Sequence, residues 1–295
     1  GGEGTGKSNY VAALIAGAVK PENAEGIDTL GVSIEGNPKG KAVLFYDTEQ
    51  SEVQLYKNVS TLLRRCGRDT MPEWFKAYCL TGMSRKERLK SIVLSMDKFH
   101  YQYGGIHLVV IDGIADLIRC ANDEAESIAV VEELYRLAGI YNTCIVTVLH
   151  FIPNGLKLRG HLGSELQRKA AAILSIEKDT KPAVSVVKAL KVRDGSPLDV
   201  PLMQFAWDKE KAMHAYLGEK PKEEKDRRKE EELVAVAREL FSRKRFIGYM
   251  ELSEELQAAF EVKERTAKSY IRFMREKEII VKSPDSPNSY MLGEV

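Results

Sequence analysis

The first nineteen residues, GGEGTGKSNYVAALIAGAV (1–19), open on a glycine-rich loop and run directly into an apolar helical pattern. Within them GGEGTGKS (1–8) matches G-x-x-x-x-G-K-[ST] at every fixed position. Gly1, Gly4 and Gly6 free the backbone to aim successive N–H groups at a phosphate. The helix expected over Tyr10–Val19 adds the positive end of its dipole. In such a loop Lys7 reaches the β- and γ-phosphates and the Ser8 hydroxyl ligates magnesium, with Gly2, Glu3, Thr5 and Asn9 completing the cradle. ATP and Mg2+ are the expected ligands. A strand normally leads into this loop, but the sequence begins at the loop's first glycine, as a trimmed fragment would.

Outward from the loop, short β-branched runs alternate with longer helical patterns as far as about Asp208. The expected buried strands are 42–46, 107–111, 144–149, 172–176, 185–192 and 202–206, with helices over 51–66, 85–101 and 124–141. Nearly continuous apolar strands separated by helices predict a doubly wound, mainly parallel α/β sheet covered on both faces. The last strands lack intervening helices and are expected as antiparallel additions at one edge. Asp112 stands at the C-terminal tip of the 107–111 strand, where doubly wound sheets present ligand-binding groups; it is the expected magnesium-holding carboxylate. A second strand, VLFYDTEQS (43–51), ends in Asp47-Thr48-Glu49, readable as a source of a base or as a helix-capping acid cluster. A third ends in His150, where a lone histidine serves either structure or chemistry.

Taken in order, GGEGTGKS, FYDTEQS, HLVVIDGIADLI, IVTVLH and KVRDG resemble the motifs of the RecA/DnaB superfamily of ATPases. The run from VVIDGIADLI through NDEAESIAVVEELYRLA and VLH to RGHLGSEL is most similar to RepA-type plasmid replicative helicases and mobile-element ATPases. The resemblance covers residues 1–208 and implies a RecA-like hexameric ring with ATP at subunit interfaces. It makes Glu49 the general base, with Asp47 next in line, and His150 a γ-phosphate sensor. The Gly-, Pro- and Lys/Arg-rich stretch 151–162 becomes a DNA-contacting loop carrying Lys157 and Arg159, although an ordinary surface loop reads the same way. Lys191 and Arg193, two apart on one strand face, become the pair that reaches a neighbouring subunit's ATP.

Beyond the ATPase pattern, EKPKEEKDRRKEEE (219–232) is almost wholly charged and reads as a solvated linker or the exposed start of a helix. It divides an expected RecA-like domain (1–218) from a C-terminal domain (233–295). There, helices over 233–243, 252–260 and 263–277 precede two short strands, 279–282 and 289–292. Three helices and a hairpin give the order of a winged helix, a module absent from minimal RepA-type helicases and pointing to an accessory or regulatory relative. Segment 263–277 carries six basic residues against two acidic ones. Lys263, Lys268, Arg272 and Arg275 are therefore the expected DNA contacts of a recognition helix. Docking of a protein partner is the alternative.

The formal net charge of +1 gives no global signal for nucleic acid, so any basic surface is local. Four cysteines without a C-x-x-C pair exclude zinc-site spacing and a secreted disulfide scaffold. The longest apolar stretch, 106–118, contains Asp112 and Asp116 and is too short to span a bilayer; a cytoplasmic protein without membrane attachment is expected. The functional readings are a helicase-like replication or mobilization ATPase acting on DNA, an ATP-switched DNA-binding regulator or helicase loader, and a signalling ATPase without nucleic acid. The winged helix weighs against the last.

Overall fold

The computed structural model describes residues 4–24, 26–150, 160–179, 181, 183–284, 286 and 288–294. Gly6, at φ +90°, turns the chain from the loop into α1 (Lys7–Val19). That helix is apolar almost all round, and Ala13, Ile15, Ala16 and Val19 are completely buried. A helix with no polar face belongs inside a layered fold.

Around it lie β1 (Ala42–Asp47), α2 (Glu52–Cys66), β2 (Phe75–Cys79), α3 (Arg85–Gln102), β3 (Ile106–Asp112), α4 (Glu124–Ile140) and β4 (Cys144–Val148). The four strands form an all-parallel sheet in the order β2-β1-β3-β4. Every residue of β1 is buried, as strands covered on both faces require. One apolar cluster joins Leu44, Ile92, Met96, Val109, Ile111 and Leu134. A second joins Val11, Ile15, Val43, Phe45, Leu62 and Val110. The chain is thus a mixed α/β protein whose parallel sheet is flanked by helices.

Register sets the chemistry. Asp47 pairs with Asp112 across β1 and β3, and Asp112 with Val148 across β3 and β4. The residues leaving these three strands therefore emerge together at one edge. Strand β2 was not expected; FKAYC is short and carries a lysine, so its apolar signal is weak.

After α5 (Gly160–Lys169) come β5 (Ala172–Lys178), β6 (Val184–Val192), β7 (Met203–Asp208) and β8 (Met213–Glu219). They form a separate sheet, β5-β6-β7-β8, not additions to an edge of the parallel one. Each pairs with its neighbour in sequence, which short connections favour. The chain continues through α6 (Lys222–Arg243), β9 (Ile247–Gly248), α7 (Tyr249–Phe260), α8 (Glu264–Glu276), β10 (Ile280–Lys282) and β11 (Ser289–Leu292). The last three strands make an antiparallel sheet, β10-β11-β9.

Two compact units result. One comprises residues 1–170, 176–186 and 204–218; the other comprises 171–175, 187–203 and 219–295. The stretch 187–203 belongs with the C-terminal helices. Leu198 enters their apolar core beside Leu233, Leu252, Leu256, Tyr270 and Met274, and Ser196 bonds the Tyr270 hydroxyl at 2.7 Å.

Of the two readings of 219–232, the start of a helix is the one observed, though not an exposed one. From Lys222 onward it is the first half of α6, with Arg228 and Lys229 buried. Arg228 donates to Glu232 (2.6 Å) and to the Ala189 carbonyl (2.7 Å). Lys229 pairs with Asp199 at 2.9 Å and lies over the rings of Tyr270 and Phe273. Composition read the charges as solvated; specific partners make their burial tolerable.

Candidate functional site

Two residues of the glycine loop show why glycine is needed. Gly4 and Gly6 both have positive φ, and a Cβ on Gly6 would stand 2.9 Å from the Phe205 ring. Phe205, on β7, stacks on Tyr10 of α1 at 5.9 Å. The loop therefore lies close over an aromatic floor and has no room for a side chain at Gly6.

A crevice of about 630 Å³ opens above the loop. It is lined by Gly4, Thr5, Gly6, Lys7, Ser8 and Asn9, and by Glu49, Asp112 and His150 from the three strand tips. One face of α2 (Gln54, Lys57, Asn58 and Thr61) and Trp207 on β7 complete the wall. Each of these expected residues that the structure describes meets the others here. Gly1, Gly2 and Glu3 lie outside the described residues, as do Lys157 and Arg159.

At the centre stands Asp112, which is 2% exposed. The Ser8 hydroxyl donates a hydrogen bond to its carboxylate, yet Oδ2 has no partner among the described residues. Burial, reinforced by the charges of Asp47 and Glu49, pushes its pKa up to about 6, against the opposing pull of Ser8 and Lys7. A buried carboxylate oxygen without a donor, next to a serine hydroxyl, is the oxygen donor set a hard cation takes. Among the described residues no three His, Cys, Asp or Glu side chains gather to hold a metal.

Asp47 and Glu49 separate by environment. Asp47 is fully buried, and its Oδ1 accepts the backbone N–H groups of Glu49 (3.0 Å) and Gln50 (2.9 Å). It shapes the turn. Glu49 instead lines the crevice, 3.6 Å from His150 Nε2, while His150 Nδ1 has no partner among the described residues. At 3.6 Å the Glu49–His150 contact is longer than a hydrogen bond.

Two residues that sequence reasoning passed over hold this turn. The Thr48 hydroxyl faces the carbonyls of Asp112 (3.0 Å) and Gly113 (2.8 Å) and the Asp116 carboxylate (3.1 Å), and its N–H donates to the Asp112 carbonyl. Gly113 has φ +97°, and a Cβ there would stand 2.2 Å from Thr48 Oγ1 and 2.7 Å from Glu49 Cγ. The glycine directly after the strand-end acid was the available signal. Trp207 and the α2 amides were also missed, because helix spacing alone does not tell which polar face looks into a cleft.

Lys191 and Arg193 are not among the residues lining this crevice and belong to the second unit. Lys191 is ion-paired with Glu261, and Asp194 with Lys263 at 2.8 Å. On α8, Lys268 pairs with Glu264 (2.7 Å) and Arg272 with Glu276 (3.7 Å). Lys263, Lys268, Arg272 and Arg275 all lie on or beside this helix, whose other face buries Ala267, Tyr270, Ile271 and Met274.

The chain matches no protein-family model and no curated protein sequence. Geometry must therefore carry the functional argument. A second hollow, of about 680 Å³ along α6, is lined by Glu223, Asp226, Glu230 and Glu231 with Arg227 and Lys277. Its acidic excess repels phosphate. No helix among the described residues is long and apolar enough to cross a membrane.

Proposed function

We propose that this chain is a RecA-like ATPase that binds MgATP in the crevice lined by residues 4–9 and acts on DNA, as a helicase-like replication or mobilization protein. The observation that carries the reading is the meeting of Lys7, Ser8, Asp112 and Glu49 in one crevice, with the Ser8 hydroxyl bonded to Asp112. In it, the glycine-loop amides and Lys7 bind the phosphates, and Ser8 and Asp112 hold the cation. When bound, magnesium offsets negative charge on the transferring phosphoryl group. Glu49 accepts the proton of the attacking water, and His150 sits where a change in Glu49 or the γ-phosphate is felt.

The C-terminal helices α6, α7 and α8 with the sheet β10-β11-β9 support a winged helix. Its α8 faces the major groove with Lys263, Lys268, Arg272 and Arg275 on the phosphates. Assembly as a homo-hexamer with Arg193 acting across the interface completes the reading.

An ATP-switched regulator or loader is the second reading. It is favoured by the Lys191–Glu261 and Asp194–Lys263 pairs, which hold the K-x-R segment to the C-terminal helices. DNA-stimulated ATPase with strand unwinding supports the first reading. Sequence-specific duplex binding with slow turnover supports the second.

Equilibrium binding and single-turnover hydrolysis test the common core. Lys7→Ala is expected to abolish ATP binding. Glu49→Gln is expected to retain binding and lose about 10²-fold or more in hydrolysis. Wild-type affinity in Lys7→Ala overturns the phosphate-loop assignment.

A further inference from the structure

The crevice is longer than a phosphate cradle needs. Besides the loop and the strand tips it is lined by Ala12, by Gln54, Lys57, Asn58 and Thr61 of α2, and by Trp207. These α2 residues follow i, i+3, i+4 and i+7 spacing, a single helical face. Their amides bond one another: Gln54 donates to Asn58 (3.0 Å) and Asn58 to Gln50 (2.8 Å).

Trp207 is 52% exposed, the largest side chain among the exposed hydrophobic ones. An exposed aromatic alone is ordinary, but this one is positioned. Trp207 and Phe205 are two apart on β7 and share a face, so the strand that floors the glycine loop with Phe205 also delivers Trp207 to the crevice. His214 on β8 meets both rings edge-on, at 5.6 Å from Phe205 and 5.5 Å from Trp207. Tyr10, Phe205, His214 and Trp207 thus form a continuous row of rings from α1 to the crevice wall. An indole anchored along an edge keeps a flat face for another ring at little entropic cost.

We propose that Trp207 is the nucleobase platform of this site, stacking a purine whose triphosphate lies on the glycine loop. The inference rests on the nucleotide reading above and adds how the rest of the ligand is recognised. Stacking reads a π-face and not a hydrogen-bonding edge, and the nearest amides already bond one another. Nucleoside triphosphates are therefore the recognised class, the larger π-face of a purine stacking best, with ATP and GTP held by the same contact. Inorganic tripolyphosphate engages only the loop.

The test uses the chain's two tryptophans. Trp74 packs against the core cluster of α1 and α2, with Arg68 over its ring, so Trp74→Phe leaves Trp207 as the only indole. In that background, MgATP and MgGTP are expected to quench the fluorescence, and magnesium tripolyphosphate is expected to bind by thermal shift without quenching. Trp207→Ala should weaken ATP and GTP roughly tenfold or more, as loss of one stacked base does, with tripolyphosphate affinity unchanged. Trp207→Phe should keep most of the nucleotide affinity. Wild-type ATP affinity in Trp207→Ala overturns the platform. Equal weakening of all three ligands overturns it too, by making Trp207 a structural residue of the crevice. Wild-type protein that binds neither nucleotide nor tripolyphosphate overturns the underlying phosphate-loop reading and the platform with it.

Discussion

Asp112 shows how a buried carboxylate acts on stability. Its pKa of about 6 lies above the ordinary 3.8 of an aspartate, so the folded state holds the proton more tightly than the unfolded chain does. The sign follows: stability is greatest below about pH 4 on this account and falls as pH rises through 6, by about 3 kcal/mol at pH 7. A cation bound by the orphaned Oδ2 would reverse that loss. Asp112→Asn keeps a group able to accept from Ser8 and removes the charge. Thermal melts of the free variant should therefore lose this fall between about pH 4 and 6.5, while stabilisation by MgATP largely disappears. An unchanged pH slope would mean that Asp112 is already compensated within the protein. Gly113 gives a second residue-scale prediction. Its left-handed backbone and the 2.2 Å approach to Thr48 leave no place for a methyl group. Gly113→Ala should cost more than about 1 kcal/mol of stability and, by displacing Glu49, should slow hydrolysis more than it weakens ATP binding. Parallel measurement of Kd and single-turnover rate checks this; equal losses would detach Glu49 from the turnover step.

At the scale of elements, what the sequence revealed was whatever burial writes as a pattern. Strands β1 and β3 are nearly unbroken apolar runs because both faces are covered, β4 is a short β-branched one, and the acids and histidine at their ends could be numbered before any register was known. Their convergence could not be, since it depends on the Asp47–Asp112–Val148 alignment and on Thr48 joining two strand tips. Strand β2 escaped because a lysine and partial exposure blur its alternation. The burial within the first half of α6 escaped for the opposite reason: Arg228 and Lys229 look solvated by composition, but their partners Ala189, Asp199, Tyr270 and Phe273 are distant in sequence. Trp207 escaped because a strand's two-residue period gives its face and not what that face looks into.

Over the whole molecule, the crevice brings together the glycine loop, Asp112 and Glu49, and no arginine among the described residues lines it. Phosphoryl transfer in P-loop ATPases is accelerated by a cation facing the γ-phosphate, a contribution of about 10³-fold or more where an arginine supplies it. Arg193, carried by the second unit, is the chain's candidate, and in a ring it serves the nucleotide of the adjacent copy. That arrangement has a signature no single-chain site can produce. Lys7→Ala protein lacks a working phosphate loop but offers an intact Arg193; Arg193→Ala protein has the reverse. Each alone should be nearly inactive. Mixed and allowed to exchange subunits, they should form interfaces that pair a sound loop with a sound arginine, and DNA-stimulated ATP hydrolysis should reappear at a fraction set by the mixing ratio. Persistent inactivity across all ratios, with subunit exchange verified by labelled protein, would confine Arg193 to its own chain and remove the case for a shared interface site.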